Sequence, residues 1–142
     1  MELYQVSVFV ENKSGRLADI TEVLSKNSIN IRALSIADTT DFGILRLIVE
    51  DPGKTEKILA DNGFTVTRTK VIGVRVPDTP GGLSVVLRLL SDNGISLEYM
   101  YAFIGRSDER ASVILRVDND EKAEQVLSSN GIELISGDAF NE

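Results

Sequence analysis

The 142-residue chain contains no histidine, no cysteine and no tryptophan. Without cysteine there is no disulfide framework, thiol nucleophile or zinc-thiolate site, and without histidine there is no imidazole base or nitrogen ligand for a metal. Most hydrolase and metalloenzyme constellations are thereby excluded, and no catalytic residue, metal ligand or cofactor is expected. Basic charge is scarce as well. The 15 Lys and Arg stand against 22 Asp and Glu, a net charge of −7 that repels polyanions, so nucleic acid is not an expected partner. No apolar run approaches the roughly 18 residues of a membrane span. The opening Met1-Glu2-Leu3-Tyr4-Gln5 has no basic region of the kind a secretory leader carries. The expected location is the cytoplasm, with no membrane partner.

What is present is a globular composition, 42% apolar and 26% charged, written as a repeat. Moving forward by 66 positions pairs Val8 with Val74, Val10 with Val76, Gly15 with Gly81, Leu17 with Leu83, Leu24 with Leu90, Asn27 with Asn93 and Ile29 with Ile95. Further along, the offset becomes 68 and pairs Leu47 with Leu115, Val49 with Val117, Leu59 with Leu127 and Gly63 with Gly131. The second copy thus carries a loop two residues longer, most simply at Gly105-Arg106-Ser107-Asp108-Glu109.

Each copy has one pattern. Val6, Val8 and Val10 alternate with Ser7, Phe9 and Glu11, which predicts a strand with one face buried. Leu17, Ile20 and Leu24 then recur at helical spacing, as do Leu83, Val86, Leu87 and Leu90. Ile29–Ile36 and Ile44–Val49 read as a strand pair joined by Asp38-Thr39-Thr40-Asp41. Asp51-Pro52 starts a second helix, with Asp as cap and Pro at its first position, and Asn62-Gly63 ends it. Phe64–Arg68 is a last strand. In the second copy the strands are Val71–Val76, Ile95–Ile104, Ala111–Val117 and Ile132–Ile135, with helices over Gly81–Asn93 and Asp120–Asn130. The order β-α-β-β-α-β, twice, is the α+β, ferredoxin-like pattern of antiparallel sheets packed against helices. Only Thr69 and Lys70 separate the copies, which divides the chain into domains 1–69 and 70–142.

Several local signals carry no chemistry. Gly53-Lys54-Thr55 would need a glycine at Ile48 to be a phosphate-binding loop. Asp118, Asp120, Glu121 and Glu124 lack the ligand spacing of a calcium loop and fit the acidic start of a helix. Asn12-Lys13-Ser14-Gly15-Arg16-Leu17 and Asp78-Thr79-Pro80-Gly81-Gly82-Leu83 differ from these. Each places a short polar side chain at a strand end and glycine at a helix start, where amide donors and the positive end of the helix dipole suit a carboxylate. The plainer reading is that Asn12 and Asp78 hold the turn and that Thr79 caps a helix begun by Pro80. Asp78 is also placed to accept from the ammonium of an amino acid.

These features resemble a tandem pair of ACT domains, small regulatory modules that bind amino acids. The resemblance rests on the element order, on Asn12-x-x-Gly15-x-Leu17 and Asp78-x-x-Gly81-x-Leu83, and on Ile29-Asn30-Ile31 and Ile95-Ser96-Leu97. It implies an amino-acid site at the interface of two ACT units. Gly15, Arg16 and Leu17, or Gly81, Gly82 and Leu83, would offer backbone amides beside Ser14 or Pro80. Asn12 or Asp78 would hold the ammonium, and Asn30, Ile31, Ser96, Leu97 and Glu98 would line the wall. The second loop is closer to the family pattern, because the first has Asn12 and places Arg16 where the second copy has Gly82, and the second is the expected site if only one is filled. The expected function is that of a stand-alone, non-enzymatic sensor of a free amino acid, acting as a homodimer or on a metabolic enzyme. The competing expectation is an interaction or dimerisation module without a ligand, with Phe9, Tyr99, Tyr101 and Phe103 as its surface.

Overall fold

Alternating β-branched and polar residues build the strands, and glycines at the changes of period set where helices begin. The computed structural model describes residues 2–11, 14–38, 42–104 and 110–137. The elements run β1 (Leu3–Glu11), α1 (Arg16–Lys26), β2 (Ile31–Asp38), β3 (Phe42–Val49), α2 (Pro52–Asp61), β4 (Thr65–Pro77), α3 (Gly82–Asp92), β5 (Leu97–Ala102), β6 (Arg110–Val117), α4 (Asp120–Ser129) and β7 (Glu133–Ile135). The chain is α+β, with antiparallel strands and four helices in two ferredoxin-like units. The turn 39–41, the loop 105–109 and Asn12 lie outside the described residues.

One difference from the sequence reading concerns the junction. Residues Thr65–Pro77 form a single strand, where the sequence suggests two strands broken at Thr69-Lys70. Threonine favours extended backbone, so the Thr-Arg-Thr-Lys stretch continues the strand despite its polarity. By spatial contacts the chain divides into a unit of residues 4–69 and a unit of residues 70–137 together with Glu2 and Leu3.

In the first unit β3 lies between β2 and β1, with Val6 opposite Leu47 and Val8 opposite Leu45. Val6, Val8, Leu45, Leu47 and Val49 face Ile20 and Leu24 of α1 and Leu59 of α2 in one buried cluster. In the second unit β4 lies between β6 and β7, and β5 flanks β6. There Val74, Val76, Val113, Leu115 and Val117 meet Val86 and Leu90 of α3 and Leu127 of α4. Each fully buried aliphatic side chain contributes about 1.5–3 kcal/mol, so each unit has a core of its own.

All four helices end alike. Asn27, Asn62, Asn93 and Asn130 occupy the C-cap, and each side-chain amide donates to the carbonyl four residues earlier at 2.8 Å. The next residue is left-handed, at φ 57° for Ser28, 87° for Gly63, 69° for Gly94 and 77° for Gly131. The amides of Ile29, Phe64, Ile95 and Ile132 then reach back to Leu24, Leu59, Leu90 and Leu127 at 2.9–3.0 Å, closing a Schellman turn. The positive φ falls on the residue after the asparagine, and in one copy that residue is serine.

Candidate functional site

Helix starts fall into two classes. Asp51 accepts from the Lys54 amide at 3.0 Å and Asn119 from the Lys122 amide at 3.1 Å, so α2 and α4 carry ordinary side-chain caps. Helices α1 and α3 have Gly15 and Gly81 at the N-cap, at φ 87° and 89°, with no side-chain cap. The positive end of each helix dipole therefore meets a glycine rather than a capping side chain, and the Gly82 amide, which the sequence offers to a ligand, is taken by the Thr79 carbonyl.

The second loop is a defined turn. The Gly82 amide donates to the Thr79 carbonyl at 3.0 Å. Pro80 fills the position whose φ is fixed, and Gly81, at φ 89° and ψ −9°, fills the one that must be positive, which is a type II turn. Thr79 contributes its carbonyl rather than a hydroxyl cap, and the helix begins at Gly82, not Pro80. Gly82 has a packing reason of its own. A Cβ there would lie 2.1 Å from the Pro77 carbonyl oxygen, so no other residue fits without moving backbone.

In the first loop Ser14 is exposed, Gly15 repeats the left-handed cap, and Leu17 is 40% exposed. Arg16 lines a cleft of about 380 Å³ with Phe9, Val10, Glu11 and Phe64. Its guanidinium stands 3.9 Å from carboxylate oxygens of Glu11 and of Asp19. Asp78 and Pro80 in the second loop are exposed, and Leu83 is half-buried against its core.

The wall residues sit apart from these loops within each unit. Asn30 and Ile31 follow the end of α1, and Ser96, Leu97 and Glu98 follow the end of α3. With 11 residues in each helix, the two sets are about 16 Å apart. Asn30 and Ile31 line a separate shallow groove of about 390 Å³ with Thr21 and Ser25. Ser96 donates its amide to Asp118 at 3.0 Å, Leu97 packs on the core, and Glu98 stands 3.4 Å from Arg116. Matched bulges occur here, between Ile31 and Ala33 and between Leu97 and Tyr99. Phe9 is 41% exposed, while Tyr101 is buried with its ring stacked on Tyr99 at 6.4 Å.

One charged cluster has no counterpart in the sequence pattern. Arg75 donates to Glu133 at 2.9 Å and Arg110 to the same carboxylate at 3.2 Å. The hydrogen bond from Arg75 leads in holding the Glu133 carboxyl below the usual glutamate range. Register explains it, because Arg75 lies opposite Glu133 across β4 and β7, and Pro77 opposite Arg110 across β4 and β6.

The repeat, the element order and the glycine-capped loops converge with a family match, the ACT domain pair model, over residues 1–142. The chain belongs to the ACT domain pair family. This ACT domain pair is 45% identical to protein BT0572 from Bacteroides thetaiotaomicron, with a TM-score of 0.92 over 100% of this chain and 98% of that one. It has the fold of the regulatory subunit of aspartate kinase from Thermus thermophilus, at 14% identity and a TM-score of 0.65 over 90% of this chain and 91% of that one. The corresponding Thermus flavus subunit gives 16% identity and a TM-score of 0.61, over 91% and 90% of the two chains. No curated protein matches the chain. Among the described residues, no helix of the ACT domain pair is long and apolar enough to cross a membrane.

Proposed function

We propose that this ACT domain pair is a regulatory protein that reversibly binds a free amino acid at a loop following the first strand of a unit and passes its occupancy to a partner or to its own assembly. The observation that carries this reading is the split between helix starts. The fold supplies side-chain caps to α2 and α4 and leaves α1 and α3 with glycine caps at the positive ends of their dipoles. Regulation is among the roles this fold serves elsewhere, in the aspartate kinase subunits. The absence of histidine and cysteine from the sequence fits a site that needs backbone amides and a few charges rather than a nucleophile. A ligand that shifts how units pack transmits its occupancy by differential affinity for the two packings.

A screen of the twenty amino acids by thermal shift tests the reading. A ligand at 100 times its Kd stabilises by about 2.7 kcal/mol, and twenty unchanged melting curves would sink it. A second reading, an interaction module or docking subunit, is favoured by β2, an edge strand on which Leu34 and Ile36 are 40% and 46% exposed. That reading predicts assembly insensitive to every amino acid.

A further inference from the structure

The two loops are not equivalent, and the repeat shows how they diverge. The first-unit cleft lies where the end of β1 meets the α2–β4 turn, walled by Phe9, Val10 and Phe64 and edged by Glu11, Arg16 and Thr65. Its volume of about 380 Å³ suits a single small molecule, near the lower end of the roughly 300–1,000 Å³ that ligand pockets span. Arg16 stands 3.9 Å from each neighbouring carboxylate, longer than the roughly 2.7–2.9 Å of a charge-assisted hydrogen bond. Two helix ends reach this place. Arg16 opens α1, at its positive end, and Gly63, which also lines the cleft, follows the negative end of α2.

The repeat offsets put Arg75 in the place of Phe9, Gly82 in the place of Arg16 and Glu133 in the place of Thr65. In the second unit Arg75 and Glu133 are joined at 2.9 Å, Arg110 adds a second bond, and Gly82 is fixed by the Pro77 carbonyl. The positions of Phe9 and Thr65 at the first-copy cleft hold a closed ion pair in the second, and the position of the cation holds a glycine.

We propose that the first-unit cleft is the amino-acid site, one per chain, and that it selects an α-amino acid with a large apolar side chain. The carboxylate pairs with Arg16, the ammonium with Glu11, and the side chain lies against Phe9 and Phe64. The inference rests on the amino-acid-binding reading above and names its site and ligand class. A zwitterion offers each member of this Arg–Glu pair an opposite charge, whereas a simple acid or amine offers one to only one of them.

Isothermal titration of the full chain with phenylalanine, leucine, glycine, aspartate and lysine, then with 3-phenylpropionate and phenethylamine, tests it. Phenylalanine or leucine is expected to bind tightest. Each analogue missing one charge, and the Arg16→Gln variant, are expected to lose roughly 10- to 100-fold, the worth of one charged hydrogen bond. Phe9→Ala is expected to weaken phenylalanine or leucine by a larger factor than it weakens glycine, a difference that a general loss of stability does not produce. Tightest binding by glycine, aspartate or lysine would overturn the ligand class. Affinity within about twofold in Arg16→Gln would overturn the site while leaving amino-acid sensing intact. Silence from all twenty amino acids would overturn both readings.

Discussion

Adjacent glycines in the second loop are glycine for different reasons, and their substitution separates those reasons. Gly81 needs a left-handed backbone at φ 89° with open space around it, whereas a side chain at Gly82 runs into the Pro77 carbonyl. Gly81→Ala is expected to cost about 1–2 kcal/mol and Gly82→Ala about 2–4 kcal/mol, read as urea midpoints. Variants at Gly82 therefore report on folding and not on ligand binding. Ser28 shows the converse. It is the non-glycine member of the four helix endings, at φ 57°, and Ser28→Gly is expected to raise stability by about 0.5–1 kcal/mol. From sequence, Gly81 and Gly82 read alike, as glycines whose amides suit a carboxylate at a helix start. The contact that explains Gly82 comes from a carbonyl five residues earlier, and only the folded turn brings the two together.

At the scale of elements, the caps divide into those that side chains make and those that glycine makes. Asp51→Ala and Asn119→Ala each remove an acceptor from a first-turn amide and are expected to cost about 1 kcal/mol. Ser14→Ala and Thr79→Ala are expected to stay within about 0.5 kcal/mol, because the cap residues of α1 and α3 are Gly15 and Gly81. Comparison of the four denaturation midpoints checks the division. The elements themselves were legible from the sequence, since a period of two gives way to helical spacing at Gly15 and at Gly81-Gly82. Asp51-Pro52 marked the start of α2 as observed, with Asp51 as cap and Pro52 in the first turn. From sequence β4 reads as two strands, because charged and polar residues at its middle hide the strand period. The Arg75–Glu133 pair, 58 positions apart, and the meeting of Phe9 with Phe64 at one cleft depend on strand register and turn placement, which residue patterns alone do not carry.

Over the whole molecule the negative charge is uneven. Residues 4–69 hold eight basic and nine acidic residues, and the rest of the chain holds seven and thirteen, so the second unit carries most of the excess. With no histidine or cysteine, no side chain has an ordinary pKa between about pH 5 and 8, and urea midpoints are expected to be flat across about pH 6–8. On the acid side Glu133, held down chiefly by Arg75, contributes stability above the ordinary glutamate range that is lost as pH falls through its lowered value. Asp120 works in reverse. Burial leads in raising its pKa, ahead of the opposing pull of Arg116, so its charge costs stability above the ordinary aspartate range. Asp120→Asn is expected to raise the midpoint at pH 7, with the gain vanishing near pH 3 where the native acid is protonated. On the alkaline side the Glu124 hydrogen bond leads in raising Lys70, so its contribution is complete below the ordinary lysine range and is lost as pH climbs through the raised value.

Glu133 is, in effect, a carboxylate tethered to its own arginines. Tethering holds such a group at an effective concentration of about millimolar or above, which a metabolite at micromolar levels does not displace. The duplicated halves have thus taken opposite solutions to one electrostatic problem. The second is permanently supplied with its anion by strand register, and the first keeps its Arg16 at 3.9 Å from two carboxylates, loose enough for the proposed exchange with a ligand. A protein with two copies of the fold is accordingly expected to titrate as a protein with one.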